Sequence, residues 1–113
     1  MRVHGSCHCG AIRYEAEVDP DQTMICHCSD CQALSATAFR VNVPAKAADF
    51  RLLQGKPKEY VKVGDSGARR AQGFCENCGS QLYATAAEEP RAAYMLRTGA
   101  IEEWQRGVLL FSG

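Results

Sequence analysis

The sequence predicts a mostly β protein of short antiparallel strands, with one or two short helical turns. Three observations carry that reading. Apolar and polar residues alternate in short runs, the period of a strand buried on one face. Turn-forming clusters such as "VDPDQ" and "GDSG" punctuate those runs. The segment "SDCQALSA" has a capping residue in Ser29 and can form one helical turn, but it is too short and too polar for a core helix.

Taken in order, "AIRYEAEV" puts Ile12, Tyr14, Ala16 and Val18 on one side and Arg13, Glu15 and Glu17 on the other. After the turn at "VDPDQ", "TMIC" is a short strand running into "CHCSDC". "AFRVNVP" alternates again, with Phe39, Val41 and Val43 facing one way, and Pro44 is expected to end it. "AKAADF" reads as a further helical turn. "FRLLQGKPKEYVKVGDSG" reads as two strands joined at "GKPK" and closed by "GDSG". "ARRAQGF" and "QLYAT" are strands on either side of a turn at "CENCGS". "AAYMLRTG" and "VLLFSG" are the last two strands, while "EEPR" and "IEEWQRG" read as surface connections. Phe39, Tyr60, Phe74 and Tyr83 are expected in the core.

With 113 residues the chain, 1–113, has room for a single domain and no second core. A hydrophobic fraction of 46% and a charged fraction of 23% are those of a globular chain. Thirteen basic and thirteen acidic residues cancel, so no net field recruits nucleic acid or an anionic membrane. No apolar run reaches the ~20 residues of a membrane span, and "MRVHGSCHCG" lacks the apolar stretch of a signal peptide. A soluble, cytoplasmic protein is expected.

Seven cysteines are a heavy load for this length, and an odd number in a reducing compartment argues against a disulfide framework. They fall into three groups: Cys7 and Cys9, then Cys26, Cys28 and Cys31, then Cys75 and Cys78. A structural zinc takes four ligands, and the two pairs together supply them. The triplet then stays together as a site with one open position, as catalytic zinc sites have. Pairing the triplet with either pair would crowd five ligands into one place and leave two in the other. A redox dithiol at "CENCG" fits less well, because such motifs normally open a helix and "GSQLYAT" reads as a strand. Iron–sulfur cysteine runs have other spacings. The three-cysteine site is expected to be labile, since its ligands are close in sequence and its open side admits a chelator.

The stretches "GSCHCGAIRYEAE", "CHCSDCQALSATAFR", "LLQGKPKEY" and "GFCENCGSQLY" stand in the order found in glutathione-dependent formaldehyde-activating enzymes. The chain resembles that family, which belongs to a wider group with centromere protein V, over about residues 5 to 86. The resemblance implies the Mss4-like fold, several small antiparallel sheets around a structural zinc held by Cys7, Cys9, Cys75 and Cys78. It also implies a catalytic zinc on Cys26, Cys28 and Cys31. The implied activity is that of a carbon–sulfur lyase interconverting S-hydroxymethylglutathione with glutathione and formaldehyde. A non-catalytic zinc module that binds a thiol or a protein partner is the competing expectation, since one fold hosts both.

Other polar candidates are fewer. In an extended segment His27 points away from the flanking cysteine side chains, and His8 is similarly placed in the other cluster. His4 is expected in solvent. Arg40, Arg69 and Arg70 are candidates for the two glutathione carboxylates, against the plainer reading of solvated strand residues.

Overall fold

The computed structural model describes residues 1–107. The expected last strand at "VLLFSG" lies outside the described residues. Among the described residues, nine strands form two antiparallel sheets. β1 (Arg2–Ser6), β2 (Arg13–Glu17) and β5 (Phe50–Gln54) make a three-stranded sheet in the order β1-β2-β5. The larger sheet has the order β3-β4-β9-β8-β7-β6. Its strands are β3 (Met24–Cys26), β4 (Arg40–Lys46), β6 (Lys58–Val63), β7 (Arg69–Phe74), β8 (Gln81–Ala86) and β9 (Ala93–Arg97). The helices α1 (Ser29–Ser35) and α2 (Glu102–Gln105) follow β3 and β9. The architecture is mostly β, as the alternation of the sequence requires.

The inner faces of the two sheets share one core. Val3, Tyr14 and Ala16 of the small sheet meet Val43, Ala45, Leu82, Tyr83 and Leu96 of the large one, with Ile101 fully buried beside them. Aromatic rings bridge the sheets. Phe50 of the small sheet stacks on Tyr94 at 4.2 Å between centroids and meets Tyr83 edge-on at 5.8 Å.

Several expectations need correction. β1 carries a single large buried apolar residue, Val3, too little alternation to register as a strand; its pairing with β2 forms it. The cap of α1 is Cys28 rather than Ser29, its sulfur accepting the Cys31 N–H at 3.3 Å. β4 runs on through Pro44 to Lys46, because β3 pairs no further than Asn42 and a missing N–H there breaks no ladder bond. The segment "GKPK" crosses from one sheet to the other instead of turning a hairpin: β5 pairs with β2, and β6 with β7. "IEEWQRG" is no plain surface connection, since it holds α2 and buries Ile101 and Glu103. Of the four expected core aromatics, Tyr83 is buried and Phe74 half-buried. Tyr60, on the edge strand β6, is 56% exposed, and Phe39, ahead of β4, is 40% exposed.

β4 departs from its expected pattern in the most consequential way. Arg40 and Asn42, on the side read as outward, are buried, as are Gln72 of β7 and Arg97 of β9. The outer face of the large sheet thus carries a buried polar layer.

Candidate metal centre

Cys7 and Cys9 leave β1, and Cys75 and Cys78 occupy the turn between β7 and β8. Gly10 and Gly79, at φ of 81° and 82°, take the left-handed conformation that lets each loop fold back beneath its sulfurs. The Gly79 N–H donates to the Cys75 carbonyl at 2.7 Å, and the Gly10 N–H to the Cys7 carbonyl at 3.1 Å. The His8 N–H donates to Ser80 Oγ at 2.9 Å and joins the two loops. All four Sγ atoms lie within 4.8 Å of one another. Cys9 Sγ is 3.6 Å from Cys7 Sγ and 3.7 Å from Cys75 Sγ. A tetrahedron with metal–sulfur bonds of ~2.3 Å has its sulfurs about 3.8 Å apart, so a metal ion fits this cage.

The triplet converges independently. Cys26 ends β3, Cys28 caps α1 and Cys31 sits in its first turn, with the three sulfurs within 4.8 Å of one another. Cys26 and Cys28 approach to 3.4 Å. Their surroundings differ sharply. The Cys31 N–H, with the neighbouring thiols, lowers the Cys28 thiol to about 7, whereas burial pushes Cys31 up to about 11. Four-cysteine thiols split likewise: the Ser80 hydroxyl lowers Cys78 to about 5. The Cys78 N–H draws Cys75 down, but burial and adjacent thiols outweigh it and raise Cys75 to about 11. Such sets favour losing protons together to a cation. Every cysteine is a free thiol.

Arg40 donates to Cys31 Sγ at 3.3 Å through Nη2 and to Gln81 Oε1 at 3.1 Å through Nη1. Arg97 donates to Asn42 Oδ1 at 2.6 Å and to Gln72 Oε1 at 2.7 Å. Burial, reinforced by the nearby Arg40 charge, lowers the Arg97 guanidinium to about 10. The sequence reading singled out Arg40 but missed Arg97, Gln72 and Asn42; a strand arginine gives no sign of being buried until its neighbours are known. Lys62 of β6 reaches Asp30 of α1 at 2.6 Å and fastens the helix to the sheet edge. Arg69 is spent on a surface pair with Glu88 at 2.6 Å, and Arg70 lies half-buried beside Lys62 in the β6–β7 ladder. His27 packs its ring against Phe39, at 5.8 Å between centroids. His4 is only partly in solvent, because its Nδ1 contacts Glu103 at 2.9 Å.

The model of a known family, the glutathione-dependent formaldehyde-activating enzyme, matches residues 2–108. The chain belongs to that family. The match extends past the 5–86 span of the sequence motifs at both ends, and so takes in β1, β9 and α2. Among solved structures, a crystal structure of a Rhodobacter sphaeroides protein is similar at 23% identity and a TM-score of 0.68. The likeness covers 88% of this chain and 87% of that one, and it is a likeness of fold. No helix among the described residues is long and apolar enough to cross a membrane. Membership of the formaldehyde-activating enzyme family associates the chain with enzymatic work on glutathione and formaldehyde, and both of its cysteine clusters could hold metal ions.

Proposed function

We propose that the protein is a zinc-dependent carbon–sulfur lyase acting on the adduct of glutathione and formaldehyde, with the substrate sulfur at the open side of Cys26, Cys28 and Cys31. The observation that supports this best is the convergence of three thiols, without a fourth protein ligand among the described residues, beside a buried arginine. In this reading Cys7, Cys9, Cys75 and Cys78 hold a second, structural zinc. Zinc at the triplet would supply acidity to a bound thiol, lowering a pKa of about 8.5 to below 7 and raising the thiolate fraction about tenfold at neutral pH.

The chain's own groups do the rest. The Cys28 N-cap and the first turn of α1 hold two of the three sulfurs in fixed relation. Arg40 orients Cys31 and offsets negative charge on the sulfurs. In the forward direction the glutathione sulfur bonds to the formaldehyde carbon, and the carbonyl π pair moves to oxygen. The thiol proton, passed through water, ends on that oxygen. The reverse step breaks the same carbon–sulfur bond and returns thiol and aldehyde.

The test is the rate at which formaldehyde and glutathione reach equilibrium with S-hydroxymethylglutathione. The protein should accelerate it, and Cys28→Ser should remove the acceleration while leaving the fold intact by circular dichroism. A rate unaffected by the wild-type protein would overturn the enzymatic reading in favour of a non-catalytic zinc module.

A further inference from the structure

Arg40 and Arg97 pose a problem that the triplet alone does not answer. Both are more than nine-tenths buried, at 8% and 6% exposure. They point to the same oxygen, Gln72 Oε1, which Arg97 Nη2 meets at 2.7 Å and Arg40 Nη1 at 3.5 Å. Two guanidinium cations sharing one amide oxygen repel each other, and burial strengthens the repulsion. Buried charges ordinarily have a carboxylate partner, yet among the described residues no acidic side chain forms an ion pair with either arginine. Arg40 has the Cys31 sulfur as a partial counter-charge, but Arg97 meets only the neutral amides of Asn42 and Gln72.

The donor inventory points the same way. A guanidinium carries five N–H groups and needs acceptors for those it buries. The Nε atoms of both arginines are buried with no hydrogen-bond partner. Both side chains line a depression of about 480 Å³ whose walls include Leu34, Phe39, Gln81 and Thr98. Arg40, in its wall, is one hydrogen bond from Cys31. Two guanidinium side chains in the wall of an open depression, held by neutral amides that leave their charge unbalanced, suit the two oxygens of a carboxylate.

We propose that Arg40 and Arg97 form a carboxylate subsite beside the triplet, so that the site selects thiols bearing an acid group over neutral thiols. The proposal rests on the reading of the triplet as a thiol site, but the subsite itself is built from other residues. Asn42, Gln72 and Gln81 hold the two forks in place, and the ligand anion supplies the charge they lack. A thiol whose carboxylate lies a few bonds from its sulfur would reach both the triplet and the arginines.

Two measurements test it. In wild-type protein, S-methylglutathione, which has carboxylates and no free thiol, should shift the Nε–H resonances of Arg40 and Arg97 in nitrogen-15 NMR spectra. In cobalt-loaded protein, glutathione should alter the sulfur-to-cobalt absorption at a concentration well below that needed for 2-mercaptoethanol. Arg97→Gln should raise the glutathione midpoint roughly tenfold to a hundredfold and leave that of 2-mercaptoethanol unchanged. Unmoved Nε–H resonances at saturating S-methylglutathione would overturn the subsite even if Arg97→Gln fails to fold. Shifted resonances with no cobalt response to either thiol would keep the subsite and remove the thiol reading of the triplet. Equal midpoints for the two thiols in wild-type protein would overturn the selectivity.

Discussion

Cys28 and Cys31 carry the same side chain on one helical turn, and their surroundings drive them in opposite directions. Cys28 is exposed and receives a backbone N–H; Cys31 is buried and receives a guanidinium. A cation that binds both must displace the proton that burial holds on Cys31, and Arg40 makes that exchange easier. In the other cluster the cysteines tie loops far apart in the chain, and a small core has only a few kcal/mol to spare. Cys78→Ser should therefore unfold or aggregate the protein, whereas Cys26→Ser, at a half-buried position in a local site, should stay folded. Thermal melts of the two variants check this, and a Cys78→Ser melt equal to wild type would show that the four-cysteine cluster carries no stabilising metal.

At the scale of the element, both sheets use the same packing device. Gly5 of β1 stands opposite Tyr14 of β2, and Gly73 of β7 stands opposite Tyr83 of β8. In each pair the tyrosine ring lies across the glycine, where a Cβ would collide with it. Tyr83 is then fixed at its far end, its hydroxyl donating to Glu59 Oε2 at 2.8 Å. Glu59 in turn is gripped by both Nη atoms of Arg91, each at 2.8 Å, which hold its carboxyl below the usual range. A ring pinned at both ends cannot step aside. Gly73→Ala should cost about 1–3 kcal/mol, the usual penalty of overpacking, read as a lower urea midpoint with unchanged slope. A midpoint equal to wild type would mean that the ring moves freely.

At the scale of the molecule, the ends of the described chain meet. Glu103 of α2 accepts from the His4 backbone N–H at 2.8 Å and contacts His4 Nδ1 at 2.9 Å, tying α2 to β1. Arg13 of β2 adds a contact to Glu102 at 3.3 Å, and Gly5 bridges to Ile101. Burial alone would raise the Glu103 carboxyl, but the bonds from His4 outweigh it and hold the carboxyl below its ordinary value. A carboxyl with a depressed folded pKa stabilises fully above its unfolded value of about 4.3 and loses that contribution as pH falls through the folded value. Glu103→Gln should lower stability at pH 7 by about 1–3 kcal/mol, and the gap to wild type should narrow as the pH falls below 4. Urea titrations at both pH values measure it; a gap independent of pH would show that the charge of Glu103 contributes nothing.

The sequence by itself determined the strands whose alternation is strong, β2 and β4 among them, and the division of the cysteines into a four and a three. Both are local signals: a period of two residues, and the short reach of a chain between ligands. The tertiary structure alone decided what lies on the outer face of the large sheet. Arg40 reads as an outward strand residue and nothing in its own strand marks Arg97, because alternation reports which side a residue takes and not whether another layer covers that side. Their strands, β4 and β9, are neighbours through pairing of residues distant in the chain, Asn42 with Arg97. That pairing brings the two cations onto one amide beside the triplet, and no local pattern in a single strand encodes it.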